Sequence, residues 1–377
     1  MTAQNALNCQ VQNPVTNDEI LGLPESLRPQ LTGKLAKVDI TESSYIVLVD
    51  LYQKYLMEKK TERKQEFYHL FRQGLDILDL DSITYEMIET NPNSMSHWLP
   101  QIVETVKQQD FFKVPKTTII KVPLPMLQLT RLEYASLTRT TLEIVNSFCQ
   151  KAFQLDENKD YFVKTGTYSS KFDFRNAKVT GSKEVRELGE YLLFIHHQAC
   201  QMASPLNNRS IYGVSTTTEW VVREFIEDKE NNPCIYKGLP LHTEYRVFVD
   251  FDMNEVLGIH PYWDPDIMKQ RFGHDQDADG PHDRHDYIIY SMHEETLMKR
   301  YNENKDKIVD HVQALICDTE GLYGQWSIDI MQNREDFWII DMALAENSAL
   351  KDCVPKGKLK PVKEDWMPKI EYHMLAK

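Results

Sequence analysis

Trp326–Asn347 reads WSIDIMQNREDFWIIDMALAEN. Two runs rich in apolar residues flank a polar turn from Gln332 to Asp336, which is the pattern of an antiparallel strand pair with a buried face. Each run carries one aspartate among apolar neighbours: Asp329 between Ile328 and Ile330, and Asp341 between Ile340 and Met342. Two carboxylates at neighbouring strand positions in such surroundings repel each other unless a cation lies between them. Mg²⁺ is the simplest such cation, because it takes oxygen ligands and favours sites that also hold phosphate. An ordinary strand pair with solvated acids is the competing reading.

Upstream, EYRVFVDFDMNEVLGIHPYW (Glu244–Trp263) predicts a second strand pair with Arg246 among alternating apolar residues. An arginine on an inner face is costly unless its planar fork meets a carboxylate or a phosphate; a protein acid and a ligand are equal alternatives. EWVVREFIED (Glu219–Asp228) predicts a strand over Trp220–Ile226. Where it leaves its sheet it could offer peptide groups to a base edge and Glu227 or Asp228 to ribose hydroxyls, or simply end in solvated acids. YFVK (Tyr161–Lys164) predicts a short buried strand that sets Lys164 before the hydroxyl-rich loop Thr165–Ser170. An ammonium there can meet a phosphate while loop N–H groups cover it. A solvated lysine is the alternative, and the loop matches neither GxxxxGK[ST] nor GxGxxG.

Thr117–Val122 predicts another strand, Thr140–Phe153 a helix, Ser182–Met202 a long helix capped by Ser182, and Glu294–Cys317 a helix between the two strand pairs. This mixture predicts an α+β fold with antiparallel-rich sheets, not a regular βαβ array. From Glu42 to about Gln109 the spacing is helical. Tyr45, Leu48, Leu51, Tyr52 and Leu56 share one face, Phe67, Leu70, Phe71, Leu75 and Leu78 another, and a further helix starts near Pro100. The first forty residues are polar and proline-punctuated, an irregular arm or a segment laid over another domain. His274–Asp286 (HDQDADGPHDRHD) is dense in His and Asp, yet fits no zinc spacing and lacks the terminal glutamate of a calcium loop. A solvated loop near the site is expected there.

A chain of 377 residues allows two or three domains, and 41% hydrophobic with 27% charged residues marks an ordered globular protein. Its 43 Lys+Arg against 57 Asp+Glu give a net charge of −14, a field that repels polyanions and argues against nucleic acid as a partner. A local basic pocket for one nucleotide is still compatible with it. No stretch approaches about 18 continuous apolar residues, and the N-terminus lacks the charged and apolar regions of a secretory signal. A cytoplasmic location without membrane contact is expected. Six cysteines (Cys9, Cys149, Cys200, Cys234, Cys317, Cys353) form no CxxC pair and are expected to be reduced, structural thiols.

Taken in order, Lys164 with its loop, the Glu224-Phe225-Ile226 segment, Arg246, Asp329 and Asp341 resemble the nucleotide site of the ATP-grasp superfamily. The resemblance spans about residues 111 to 350. EYRVFV, then VLGIHPYW, then the aspartate strands are most similar to the branch containing the eukaryotic cell-division-cycle protein that assists assembly of translation initiation factor two, with bacterial and phage relatives. The resemblance implies two α+β lobes clasping a nucleotide after a helical N-terminal region: an arm and helices over 1–110, an N-lobe with the phosphate loop over 111–210, and a C-lobe with metal-binding strands over 211–377.

The cofactors it implies are ATP and Mg²⁺. Lys164 would contact phosphate and Arg246 would neutralise the transferring phosphoryl group, the two being the catalytic pair. Gly166, Ser169 and Ser170 would belong to the covering loop, and Arg223 to a basic patch with Lys164 and Arg246. Glu224 with the backbone of Phe225 and Ile226 would hold adenine, and Glu227 or Asp228 the ribose. Asp329 and Asp341 would carry Mg²⁺. Where family members place an asparagine ligand two residues after the last acid this chain has Ala343, so Asn347, with Glu346 beside it, is the substitute ligand. The implied activity is that of a ligase, which activates a carboxylate as an acyl phosphate and joins it to an amine or other nucleophile, a protein or peptide among the possible substrates. The alternative is an ATP-binding protein-assembly factor without ligase turnover. A third reading is a helical adaptor on a degenerate ATP-grasp body.

Overall fold

The structure is a computed structural model that describes residues 9–12, 57–60, 62–63, 91–130, 137–202, 217–272 and 284–360. The two helical faces expected over Tyr45–Leu56 and Phe67–Leu78, and the His/Asp-rich stretch 274–283, lie outside the described residues. In chain order the strands are β1 (Cys9–Gln12), β2 (Phe112–Lys113), β3 (Thr117–Lys121), β4 (Tyr161–Thr165), β5 (Lys178–Val179), β6 (Glu219–Glu224), β7 (Cys234–Ile235), β8 (Leu239–Pro240), β9 (Glu244–Asp250), β10 (Glu255–Pro261), β11 (Gln325–Asn333) and β12 (Asp336–Leu344). The α-helices are α1 (Leu99–Val106), α2 (Leu124–Leu129), α3 (Arg139–Phe153), α4 (Gly181–Arg186), α5 (Leu188–Met202), α6 (Pro265–Phe272) and α7 (Arg284–Asp318). The class is α+β, as expected.

One sheet has the order β1-β3-β6-β4-β5 and the other β10-β9-β11-β12-β2. Within each, the neighbours are antiparallel except for β1 on β3 and β2 on β12, which run parallel at the edges. Strand alternation in the first sheet sorts its side chains. Tyr161, Val163, Trp220 and Val222 pack with Val145 and Cys149 of α3 and with Leu192, Leu193 and Ile195 of α5. The intervening residues Phe162, Lys164 and Arg223 point the other way, into a cleft between the sheets. The second sheet sorts likewise. Tyr245, Val247, Ile328, Ile330 and Ile339 pack on α1 and on Ile308, Val312 and Leu315 of α7, which leaves Glu244, Asp329 and Met331 to line the cleft.

Several local expectations shift for identifiable reasons. The strand expected over Trp220–Ile226 stops at Glu224, because the Phe225 N–H leaves the ladder for the Asp160 carbonyl at 3.0 Å. The single helix expected over Ser182–Met202 is two, broken at Glu187. Its N-cap is Thr180, not Ser182, and Glu184 of the first turn accepts from the Thr180 N–H at 2.7 Å. α3 starts on Thr138, whose hydroxyl accepts from the Thr141 N–H at 3.2 Å. α7 begins at Arg284, ten residues before the expected Glu294, and so absorbs the end of the His/Asp stretch. Within the expected arm, Cys9–Gln12 adds an edge strand. Cys149, Cys200, Cys234, Cys317 and Cys353 are free. No described helix is long and apolar enough to cross a membrane.

Candidate functional site

The site is built on one row of the second sheet. Across four strands, His260, Arg246, Asp329 and Asp341 are register partners in turn. Arg246 clasps Asp329 with both forks, Nε to Oδ1 at 2.7 Å and Nη2 to Oδ2 at 2.6 Å, and its Nη1 donates to the Ala349 carbonyl at 3.1 Å. At the far end of the row, Lys164 reaches across from β4 of the first sheet. Its Nζ donates to Asp341 Oδ2 at 2.9 Å, and its side chain is only 2% exposed. The repulsion expected between the two aspartates is therefore relieved from outside, by a cation on either flank. Burial opposes the charge of Arg246, yet the Asp329 carboxylate more than offsets it and holds the guanidinium pKa above its usual value.

A β-bulge aims the second aspartate. The register slips between Asp329 and Ile330, where Asp329 faces Asp341 but Ile330 faces Ile339. Ile340 is the extra residue, so Ile340 and Asp341 both line the cleft instead of alternating. The Ile340 carbonyl accepts a hydrogen bond from Arg223 Nη1, which ties the bulge to the first sheet.

The cleft holds about 150 Å³. Its lining combines the apolar side chains of Phe162, Phe174, Phe225, Ile226, Met331 and Ile340 with the charged ones of Lys164, Lys171, Glu244, Asp329 and Asp341. Of the residues expected from the sequence, Lys164, Ser169, Arg223, Glu224, Phe225, Ile226, Asp329 and Asp341 share this lining. The others stand elsewhere. Gly166 packs against β6, with its N–H on the Glu219 carbonyl at 3.1 Å, and Ser170 caps the 3₁₀ turn Lys171–Asn176. Arg246 lies behind Asp329. Asn347 is exposed, with its Oδ1 accepting from Asn93 Nδ2 at 3.1 Å. Asp228 closes a turn by accepting from the N–H groups of Glu230 and Asn232 at 3.0 and 2.7 Å. The carbonyl of Glu227 accepts from Asn333 at 2.8 Å.

Sequence reading missed Lys171, His242, Glu244 and Tyr262, which all line the cleft. Two had a local signal. Lys171 directly follows the hydroxyl loop, and Glu244 lies two residues before Arg246, hence on the same strand face. Burial lowers the Lys171 ammonium to about 8, with Glu244 opposing, and raises the Glu244 carboxyl to about 7, with Lys171 opposing. Burial also lowers His242, against the pull of Asp228. Asp228, Glu230 and His242 bring donor atoms within 4.8 Å of one another. Arg300 at 3.3 Å from Glu230, and Asn232 bonding both Asp228 and His242, tie that cluster together, while Glu230 Oε2 is buried with no hydrogen-bond partner among the described residues.

A segment ahead of the first strand pairs spans both sheets. Ser94 shares a 2.7 Å hydrogen bond with Thr217, and the Ser96 hydroxyl and N–H donate to Glu219 of β6. Asn93 accepts from the Leu344 N–H of β12 at 2.8 Å. Burial raises the Glu219 carboxyl, with the two Ser96 donors opposing.

No family model matches the chain, and no curated protein matches its sequence. Its structure is similar to that of C-terminally truncated Cdc123 from Schizosaccharomyces pombe, with TM-score 0.41, 14% identity, and coverage of 72% of this chain and 94% of that one. A second structure of Cdc123 from the same organism gives TM-score 0.40, 14% identity and the same 72% and 94% coverage. D-alanine–D-alanine ligase from Bacillus anthracis complexed with ATP gives TM-score 0.28 and 8% identity, over 89% of this chain and 84% of that one.

Proposed function

We propose that the cleft binds ATP with Mg²⁺ and that the chain is an ATP-grasp ligase, with lobes over 111–210 and 211–377 that exchange edge and central strands, β6 joining the first sheet and β2 the second. The observation that supports this most is the Lys164–Asp341 pair, which joins the sheets at 2.9 Å beside an apolar pocket. Base-sized apolar surface next to convergent charge is the chemistry of a nucleotide site. Phe225 and Ile226 would face the base, with Glu224 at its edge.

The residues fit the metal. Mg²⁺ is held by one or two carboxylates together with substrate phosphates, and Asp341, 40% exposed, offers an open edge. Asp329 has lone pairs left after its bonds to Arg246. Asn347 Oδ1 likewise keeps a lone pair beside the bond it accepts from Asn93. Mg²⁺, when bound, would offset phosphate charge. In the reaction a carboxylate oxygen bonds to the γ-phosphorus as the bond to ADP breaks. An amine then bonds to the acyl carbon, phosphate leaves and the amine loses a proton. Lys164 and Arg246 serve by holding the acids in place, since positioning and charge complementarity supply most of the catalysis in phosphoryl transfer.

Calorimetry of the full chain with ATP and Mg²⁺ tests the site, and no binding at millimolar nucleotide overturns it. A hydroxylamine trap run with candidate acids tests the activity, because a ligase yields hydroxamate and ADP. Binding without hydroxamate assigns the chain to the assembly-factor class instead.

A further inference from the structure

Asp228 and Glu230, between β6 and β7, meet His242, between β8 and β9. One donor atom from each lies within 4.8 Å of the other two, and none of the three belongs to the row of Arg246, Asp329 and Asp341. All are withdrawn from water, their side chains being 16%, 9% and 4% exposed in that order. Arg300 of α7 approaches Glu230 Oε1 at 3.3 Å, so one cation faces two carboxylates and a negative charge is left over. The other oxygen of that carboxylate, Glu230 Oε2, is buried with no hydrogen-bond partner among the described residues.

Buried polar groups are ordinarily satisfied, and an orphaned carboxylate oxygen among other ligand atoms marks the place of a cation. What remains open on the neighbouring side chains is of the same kind. Asp228 Oδ2 accepts from the Asn232 N–H at 2.7 Å and keeps a second lone pair. The His242 imidazole is hydrogen-bonded to the Gln332 carbonyl and disfavoured by burial from taking a second proton; its Nδ1 lies 3.3 Å from Asn232 Nδ2 and 3.9 Å from Asp228 Oδ1. A backbone carbonyl on one ring nitrogen is the usual way a histidine is oriented to ligate through the other. We propose that Asp228, Glu230 and His242 form a cation site separate from the two aspartates of the row, for a borderline divalent ion, Zn²⁺ or Mn²⁺. One imidazole with two carboxylates lies between the all-oxygen shell that suits Mg²⁺ and the thiolate sets of softer ions. Such donors stand about 2.0–2.2 Å from the metal, so the cluster closes by a small contraction. The ion would clip the segment leaving β6 to the start of β9, at the wall of the cleft that His242 lines. The site stands whether or not the cleft takes a nucleotide.

The test titrates the metal-stripped full chain calorimetrically with Zn²⁺, Mn²⁺ and Mg²⁺, each alone and without nucleotide, in wild type, E230Q, H242Q and D341N. Zn²⁺ or Mn²⁺ binds wild type and D341N alike, and more tightly than Mg²⁺. E230Q and H242Q each weaken it by about a hundredfold or more, beyond the roughly 10–100-fold that loss of an outer partner costs. Binding unchanged in E230Q and H242Q, or lost in D341N, puts the ion elsewhere and overturns the proposal, as does a wild type that takes up neither Zn²⁺ nor Mn²⁺ or prefers Mg²⁺. Should the two variants fail to fold, metal-catalysed oxidation of the unmutated protein decides. Fe²⁺ with peroxide should oxidise His242, mapped by mass spectrometry, and Zn²⁺ should suppress it; oxidation that spares His242 and falls on His274, His282 and His285 overturns the site.

Discussion

Replacing Arg246 with methionine removes a bidentate partner from Asp329 in a place where water cannot compensate. Both side chains are about one-tenth exposed, at 11% and 10%, and both N–H···O distances are at the short end for charge-assisted bonds. Breaking a buried pair by removing one partner costs about 3–5 kcal/mol, against about 0–1 kcal/mol for an exposed pair. R246M is therefore expected to lose about 3–5 kcal/mol, and D329N a comparable amount because it strands the guanidinium. The double variant R246M/D329N should lose much less than the sum, with a coupling of about 2 kcal/mol or more, since neither charge is then left alone. Urea denaturation followed by tryptophan fluorescence measures all four proteins, with the midpoint shifting at constant m. Losses below about 1 kcal/mol, or additivity within about 0.5 kcal/mol, would refute the view that the pair is dry and mutually dependent.

Burial raises Glu244 to about 7 from 4.5, so the native state holds that proton more tightly and the stability it supplies is lost as pH rises from 4.5 to 7. Lys171 is lowered to about 8 from 10.5, so its contribution is complete above 10.5 and is lost as pH falls through 8. E244Q should thus gain melting temperature relative to wild type between pH 4.5 and 7; parallel curves would contradict the burial argument. A Cβ at Gly189 would meet the Val145 carbonyl carbon and Cγ1 at 2.8 Å, so G189A should lose about 1–3 kcal/mol as α5 is pushed off α3, seen as a lower urea midpoint. S96A removes the hydroxyl from Glu219, itself 2% exposed, and should lose about 1.5–3 kcal/mol, the range for a hydrogen bond to a charged group, in the same measurement.

What was legible in the sequence is what leaves a local pattern. The alternation in EWVVRE, EYRVFV and WSIDIMQ marked three strands that the structure contains, and the turn between Asp329 and Asp341 fixed their pairing as neighbours. Patterns of that kind cannot report which long-range partner a side chain finds. Ser96 and Glu219 are 123 residues apart, and Asn93 and Leu344 are 251 apart, so the segment that ties both sheets was invisible. The bulge at Ile340 was missed because strict alternation places Ile340 and Asp341 on opposite faces. Asp228 was read as an acid ready for ribose, but Asx-turn geometry spends most of its lone pairs on Glu230 and Asn232.

The charges along the row balance one another. Along the row, Arg246 and Lys164 carry two positive charges and Asp329 and Asp341 two negative ones, so the row is neutral before anything enters. Such balance is what burial demands, because an uncompensated charge in low dielectric costs several kcal/mol or so. A polyanion that relied on Lys164 or Arg246 would first have to strip them from aspartates at 2.9 and 2.6 Å, exposing the very carboxylates that repel it. A cleft that pairs each acid with its own cation holds both carboxylates in fixed orientation and leaves neither buried charge uncompensated.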